Sequence, residues 1–119
     1  MGSPIAHSLS PVLHRTAYAL LGLDWEYGRH DVDAAGLPAF LAGLDGSWRG
    51  LSLTMPLKEA AVACVSEVSD LAGMVRAVNT VVIGDDGVRR GDNTDVPGMV
   101  AALRERGVTR VPRDRKSVV

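Results

Sequence analysis

A lysine, an aspartate and two alternating serines stand where this chain could do chemistry. Lys58 follows an apolar run and Pro56, so it lies just inside a helix that opens after a strand. The N-terminal end of a helix disfavours a cation, which favours proton release, and an amine so placed can shuttle a proton. Against this stands the ordinary reading of a solvated helix lysine. Asp95, ahead of V-P-G-M-V-A-A-L, reads first as an N-cap. Ser8 and Ser10 alternate, so in an extended loop both hydroxyls face one way and can donate to one carboxylate. Ser10 before Pro11 is also a good helix cap, and a helix N-terminus itself suits an anion.

Other reactive side chains lack a constellation. His7, His14 and His30 stand in no motif with a serine or cysteine nucleophile, so they read as structural or surface groups. The single cysteine, Cys64, reads as a small core residue, and no Cys or His spacing suggests zinc. With 13 basic and 14 acidic residues, net charge -1 and 4% aromatics, there is no electrostatic or stacking case for nucleic acid, nor for an anionic membrane. A small-molecule partner fits better. No run approaches the roughly 20 apolar residues of a membrane-spanning helix, and the start lacks the regions of a signal peptide. The chain reads as reduced and cytoplasmic.

The elements that position these residues alternate between helix and strand. At 119 residues and 46% hydrophobic, one domain is expected. A helix starts at Ser10 and stops at Gly22, with Leu13, Ala17, Leu20 and Leu21 on one face. A strand is expected over 25–30, then a helix over 34–44 that turns Leu37, Phe40, Leu41 and Leu44 to the core. A strand over 48–54 runs into a helix over 57–65, followed by a short helix near 71–75. The apolar, β-branched run 78–83, the turn G-D-D-G and residues 88–91 form a hairpin. A last helix spans 96–106 and ends at Gly107. This pattern predicts an α/β fold, a mostly parallel mixed sheet flanked by helices in a three-layer sandwich. Because Met1-Gly2 begins at a turn, the first strand is expected to be missing. Residues 108–119 carry R-V-P-R-D-R-K without periodicity and read as a cut end with an artefactual tail.

Four segments together resemble the shikimate dehydrogenase family: G-S-P-I-A-H-S-L-S-P at 2–11, L-T-M-P-L-K at 53–58, A-V-N-T at 77–80 and G-D-N-T-D-V-P-G at 91–98. They span most of the chain, and four in this order are highly specific. The resemblance implies an aminoacid-dehydrogenase-like N-terminal domain and reversible reduction of 3-dehydroshikimate to shikimate with NADPH, in aromatic amino-acid biosynthesis. It implies that Ser8 and Ser10 bind the shikimate carboxylate, that Thr54 and Asn79 hold ring hydroxyls, and that Lys58 and Asp95 form a catalytic dyad at the hydroxyl that is oxidised. Asn93 and Thr94 would only shape their loop.

The chain departs from the family pattern in two places, where Ser52 stands for a frequent asparagine and Arg76 for a frequent glycine. No G-x-G-x-x-G occurs, so the chain itself offers no turn for the pyrophosphate of NADP. The expected organisation is a shikimate-binding catalytic domain over 1–107 without the NADP-binding Rossmann domain, inactive by itself. Two other readings stay open: a stand-alone shikimate-binding regulatory module, and a quinate-oxidising relative.

Overall fold

In a computed structural model, residues 1–107 are described; the tail expected at 108–119 lies outside the described residues. The protein is an α/β domain whose mixed four-stranded sheet is flanked by helices. Its strands are β1 (Gly50–Ser52), β2 (Glu67–Val68), β3 (Thr80–Ile83) and β4 (Arg89–Asp92). Their order is β1-β3-β4-β2. The pairing corrects the expectation of a mostly parallel sheet: β1–β3 and β3–β4 are antiparallel, and only β2–β4 is parallel. The G-D-D-G hairpin accounts for the β3–β4 pair, since a tight turn can only join antiparallel neighbours, while β1 reaches β3 from far along the chain and runs against it. Gly87 takes the positive φ (78°) that the turn needs, and Gly84 N donates to Val88 O at 3.0 Å.

Alternation puts Leu51, Val81 and Gly91 in register across three strands, all buried. A side chain at Gly91 would place its Cβ 2.9 Å from Val78 Cγ2 and 3.0 Å from Val65 Cγ2, so only glycine lets that layer close. Beyond β1, residues 1–3 extend the sheet. Met1 N donates to Ser52 O (2.6 Å) while Met1 O accepts from Thr54 N (2.8 Å), and Gly2 makes a parallel bridge with Asp31. The strand expected over 25–30 does not form, and the bridge falls on Asp31, just beyond that range. Residues 25–27 spend their interactions on side chains instead: Tyr27 stacks on His14 (4.2 Å, 13°), and Trp25 meets Tyr18 edge-on at 5.6 Å.

The helices are α1 (Ser10–Leu21), α2 (Leu37–Ala42), α3 (Leu57–Ala60), α4 (Asp70–Val75) and α5 (Asp95–Glu105); α3 runs on into a 3-10 turn, Ala61–Ala63. Helix α1 ends as expected at Gly22, in the left-handed region (φ 70°), with Leu23 N bonded to Tyr18 O at 2.9 Å. Its packed face differs from the expected one. Leu13, Ala17, Leu20 and Leu21 are exposed, and the helix turns Pro11, His14 and Tyr18 inward because the aromatic partners on residues 25–27 lie on that side. Helix α2 does bury Leu37 and Leu41, with Phe40 and Leu44 packed at the margin. These join Leu51, Leu53, Leu57, Ala61, Ala72, Val78 and Val81 in one core. Helix α5 contributes no buried residue, so the helical layers are unevenly sealed. Among the described residues no helix is long and apolar enough to cross a membrane.

Candidate functional site

The candidate site forms where three chain segments leave the sheet at one end. After β1, residues 53–56 lead into α3; β3 begins just after Asn79; β4 ends at Asp92 and turns into α5. Backbone bonds lock these segments together: Leu53 N to Asn79 O (2.7 Å), Val78 N to Lys58 O (2.8 Å) and Asn79 N to Asp92 O (3.0 Å). Thr54, Lys58, Asn79 and Asp95 are therefore neighbours by construction of the backbone.

Lys58 Nζ donates to Asp95 Oδ2 at 2.6 Å, with the two side chains 34% and 48% exposed. The Lys58 hydrogen bond holds the Asp95 carboxyl below the usual carboxylate range; partial burial opposes this, while the Lys58 charge and the Asn79 amide add to it. The helix carrying Lys58 has only four residues, too short for a substantial macrodipole. The charge that matters to Lys58 is the facing carboxylate.

Asp95 is not an N-cap. It is the first residue of α5, and the capping role falls to Asn93, whose Oδ1 accepts from Asp95 N (2.9 Å) and Val96 N (3.1 Å). Asn93 is 4% exposed, and its Nδ2 donates to Ala77 O at 3.1 Å. The sequence suggests only a loop-shaping role for it. Its signal was an Asx residue two to three positions before a helix start, masked by Asp95, itself an acceptable cap. Asn79 is engaged too: Nδ2 donates to Thr94 Oγ1 (2.8 Å), while Oδ1 accepts from Thr94 N and Thr80 Oγ1, both at 3.0 Å.

Ser8, Ser10 and Thr54 line a separate cleft of about 390 Å³, together with His7, Tyr27 and Arg29. Ser10 is not a cap either, because it is already helical and Leu9 precedes it without a side-chain bond. Ser8 Oγ accepts from Ser10 N at 3.3 Å, which tightens the turn between them. The structure thus gathers the six expected residues into two adjoining groups, the serine cleft and the Lys58–Asp95–Asn79 group, with Thr54 linking them through α3. His14 and His30 lie outside both, held in aromatic contacts as their structural reading expects. Cys64 is half-buried against the core, and the described residues hold no cluster of metal-ligating side chains.

Comparison with known proteins decides the family. A family model described as shikimate dehydrogenase substrate binding domain matches residues 1–81. The chain belongs to the shikimate dehydrogenase family. It is 47% identical over 104 residues to the shikimate dehydrogenase (NADP(+)) of Methylobacterium radiotolerans, a match covering 87% of this chain and 37% of that protein. The crystal structure of the Thermus thermophilus shikimate 5-dehydrogenase in complex with shikimate superposes with a TM-score of 0.84 at 43% identity, over 93% of this chain and 43% of that one. Its complex with NADP(H) and shikimate gives 0.82 at 44%, over 89% and 40%. The chain spans about two fifths of the length of these relatives.

Shikimate dehydrogenases of this group are NADP(+)-dependent. The residues present here do not fit that cofactor: the sequence has no glycine-rich fingerprint, and no described strand leads through such a turn into a helix. The family match falls on the substrate-binding part.

Proposed function

We propose that this chain is the substrate-binding, proton-handling part of an NADP-dependent shikimate dehydrogenase that interconverts 3-dehydroshikimate and shikimate in the cytoplasm. The observation that supports this above all is the 2.6 Å contact between Lys58 and Asp95, beside a cleft whose donors suit a carboxylate. In this reading Ser8 and Ser10 take the substrate carboxylate through their hydroxyls, and Thr54 and Asn79 take ring hydroxyls. Lys58 exchanges a proton with the oxygen on the reacting carbon, and Asp95 aims the lysine and bonds the same hydroxyl. The nicotinamide supplies the hydride chemistry and is held by protein outside these residues.

Titration calorimetry with shikimate, alone and then with NADP, tests the assignment. Shikimate is expected to bind without NADP, and Ser8→Ala/Ser10→Ala to weaken it at least about tenfold, as loss of two hydrogen bonds to a charged group implies. Retention of full affinity in that double variant would remove the serine cleft from the site. Turnover is measured in the full-length protein that carries this domain, where Lys58→Ala is expected to abolish most of it.

A further inference from the structure

We propose that Arg29 is a further substrate-binding residue, which reads the negative charge of the carboxylate in the Ser8–Ser10 cleft and makes the site select an acid over its neutral ester. This rests on the reading of the cleft as a carboxylate subsite and names what gives that subsite its charge preference.

Arg29 lines the cleft with its guanidinium set against the serine turn. Its Nε and Nη2 both donate to the Ser8 carbonyl oxygen, at 2.9 and 2.7 Å, so the guanidinium is held on a residue that itself lines the cleft. The fork geometry leaves Nη1 over, and among the described residues it has no acceptor; nor does Arg29 pair with any described carboxylate. The residues lining the cleft include no aspartate or glutamate. A fixed cation, two hydroxyls and no competing anion make a subsite for a carboxylate.

The serines cannot supply this preference. Ser8 Oγ accepts from Ser10 N, which leaves its own proton to donate outward, and a hydroxyl donates to an ester carbonyl as well as to a carboxylate. Only a net charge separates the two ligands strongly. The arm that carries Arg29 is also held in place before any ligand arrives. Tyr27 stacks on His14 at 4.2 Å, and Arg15 Nε donates to Tyr27 O at 2.8 Å, so α1 fixes the chain two residues upstream. A guanidinium so anchored loses little further freedom on binding.

The test measures binding of shikimate and of its methyl ester to the full-length protein by calorimetry, for the wild type, Arg29→Gln and Arg29→Lys. The wild type should prefer the acid, and raising salt should erode that preference. Arg29→Gln should weaken shikimate about 10- to 100-fold, the range for a charge-assisted hydrogen bond, and change the ester by less than about threefold. Arg29→Lys should restore part of the acid preference. Equal weakening of both ligands in Arg29→Gln would reduce Arg29 to a brace for the Ser8 turn, and equal affinities in the wild type would also overturn the proposal. The dehydrogenase reading fails separately, through turnover that survives Lys58→Ala, because the binding ratio does not depend on catalysis.

Discussion

Lys58 and Asp95 lie 37 residues apart in the chain, yet their charged groups meet at 2.6 Å. The contact is built by backbone. Val78 N holds the Lys58 carbonyl, Asn79 N holds the Asp92 carbonyl, and Asn93 fixes the first turn of α5 from which Asp95 projects. Neither residue has to search for the other.

If this pair handles the proton, removing either member should lower kcat more than it alters KM. Lys58→Ala in the full-length protein is expected to cost about 10²- to 10⁴-fold in kcat, the usual weight of general acid–base catalysis. Asp95→Asn, which keeps the shape and loses the charge, should cost less. Steady-state kinetics with shikimate and NADP check this, and a change confined to KM would reassign the pair to binding alone.

Acid should weaken the fold in a defined window. The Asp95 carboxyl is held below its ordinary value, so its contribution is fully present above the unfolded-state value of about 3.9 and is lost as pH falls through the lower folded-state value. Asp92, lowered chiefly by the Ser69 hydroxyl, moves in the same direction. Melting temperatures followed from pH 6 to 2 should fall mainly below about pH 4. The fall should be shallower in Asp95→Asn. Because Asp95 is half exposed, solvent screening keeps its share small.

Asn93→Ala leaves the part-buried Asp95 and Val96 amide hydrogen bonds without their acceptor, and should cost about 1–3 kcal/mol. Asn93→Asp retains the capping oxygen and should fold better than the alanine variant, but it sets a second negative charge near Asp95. Urea unfolding ranks the two by stability. Carbon NMR of the Asp95 carboxyl should show a higher titration midpoint in Asn93→Asp than in the wild type, and an unchanged midpoint would exclude that coupling.

Arg76→Gly should stabilise. Arg76 ends α4 at φ 56°, the only non-glycine residue with positive φ among those described. A side chain there meets the steric penalty of the left-handed region, which glycine escapes at some entropic cost. A net gain of roughly 0.5–1 kcal/mol is expected from denaturant unfolding. It also gives the departure from the family pattern at this position a physical meaning, since glycine suits the conformation the chain adopts.

The parts legible in the sequence were those with local causes. The hairpin announced itself through G-D-D-G after a β-branched run, and Gly22 and Gly107 marked helix ends that both take positive φ. Leu37 and Leu41 were recognisable from helical spacing alone. The inward face of α1 was not, because periodicity ranks leucines by hydropathy, whereas the actual partners, Tyr27 and Trp25, lie beyond the helix and favour His14 and Tyr18. Asp95 reads as a cap from sequence because two residues near that helix start could fill the role, and only three-dimensional placement shows Asn93 taking it. The Lys58–Asp95 contact is non-local, so it came from resemblance and not from spacing. Arg29 gave no signal, since its partner is a carbonyl oxygen 21 residues away.

The split of the site into two groups has a consequence for which molecules suit it. The serine cleft and the Lys58–Asp95 pair are joined through the Thr54 turn and its short helix, so under the proposed roles a productive ligand presents an acid at one extremity and an alcohol or ketone at the other. A rigid six-membered ring does this with its substituents at a fixed span. Under the same roles, chains that are too short, or that fold back on themselves, satisfy one end only, and length is gauged along with polarity.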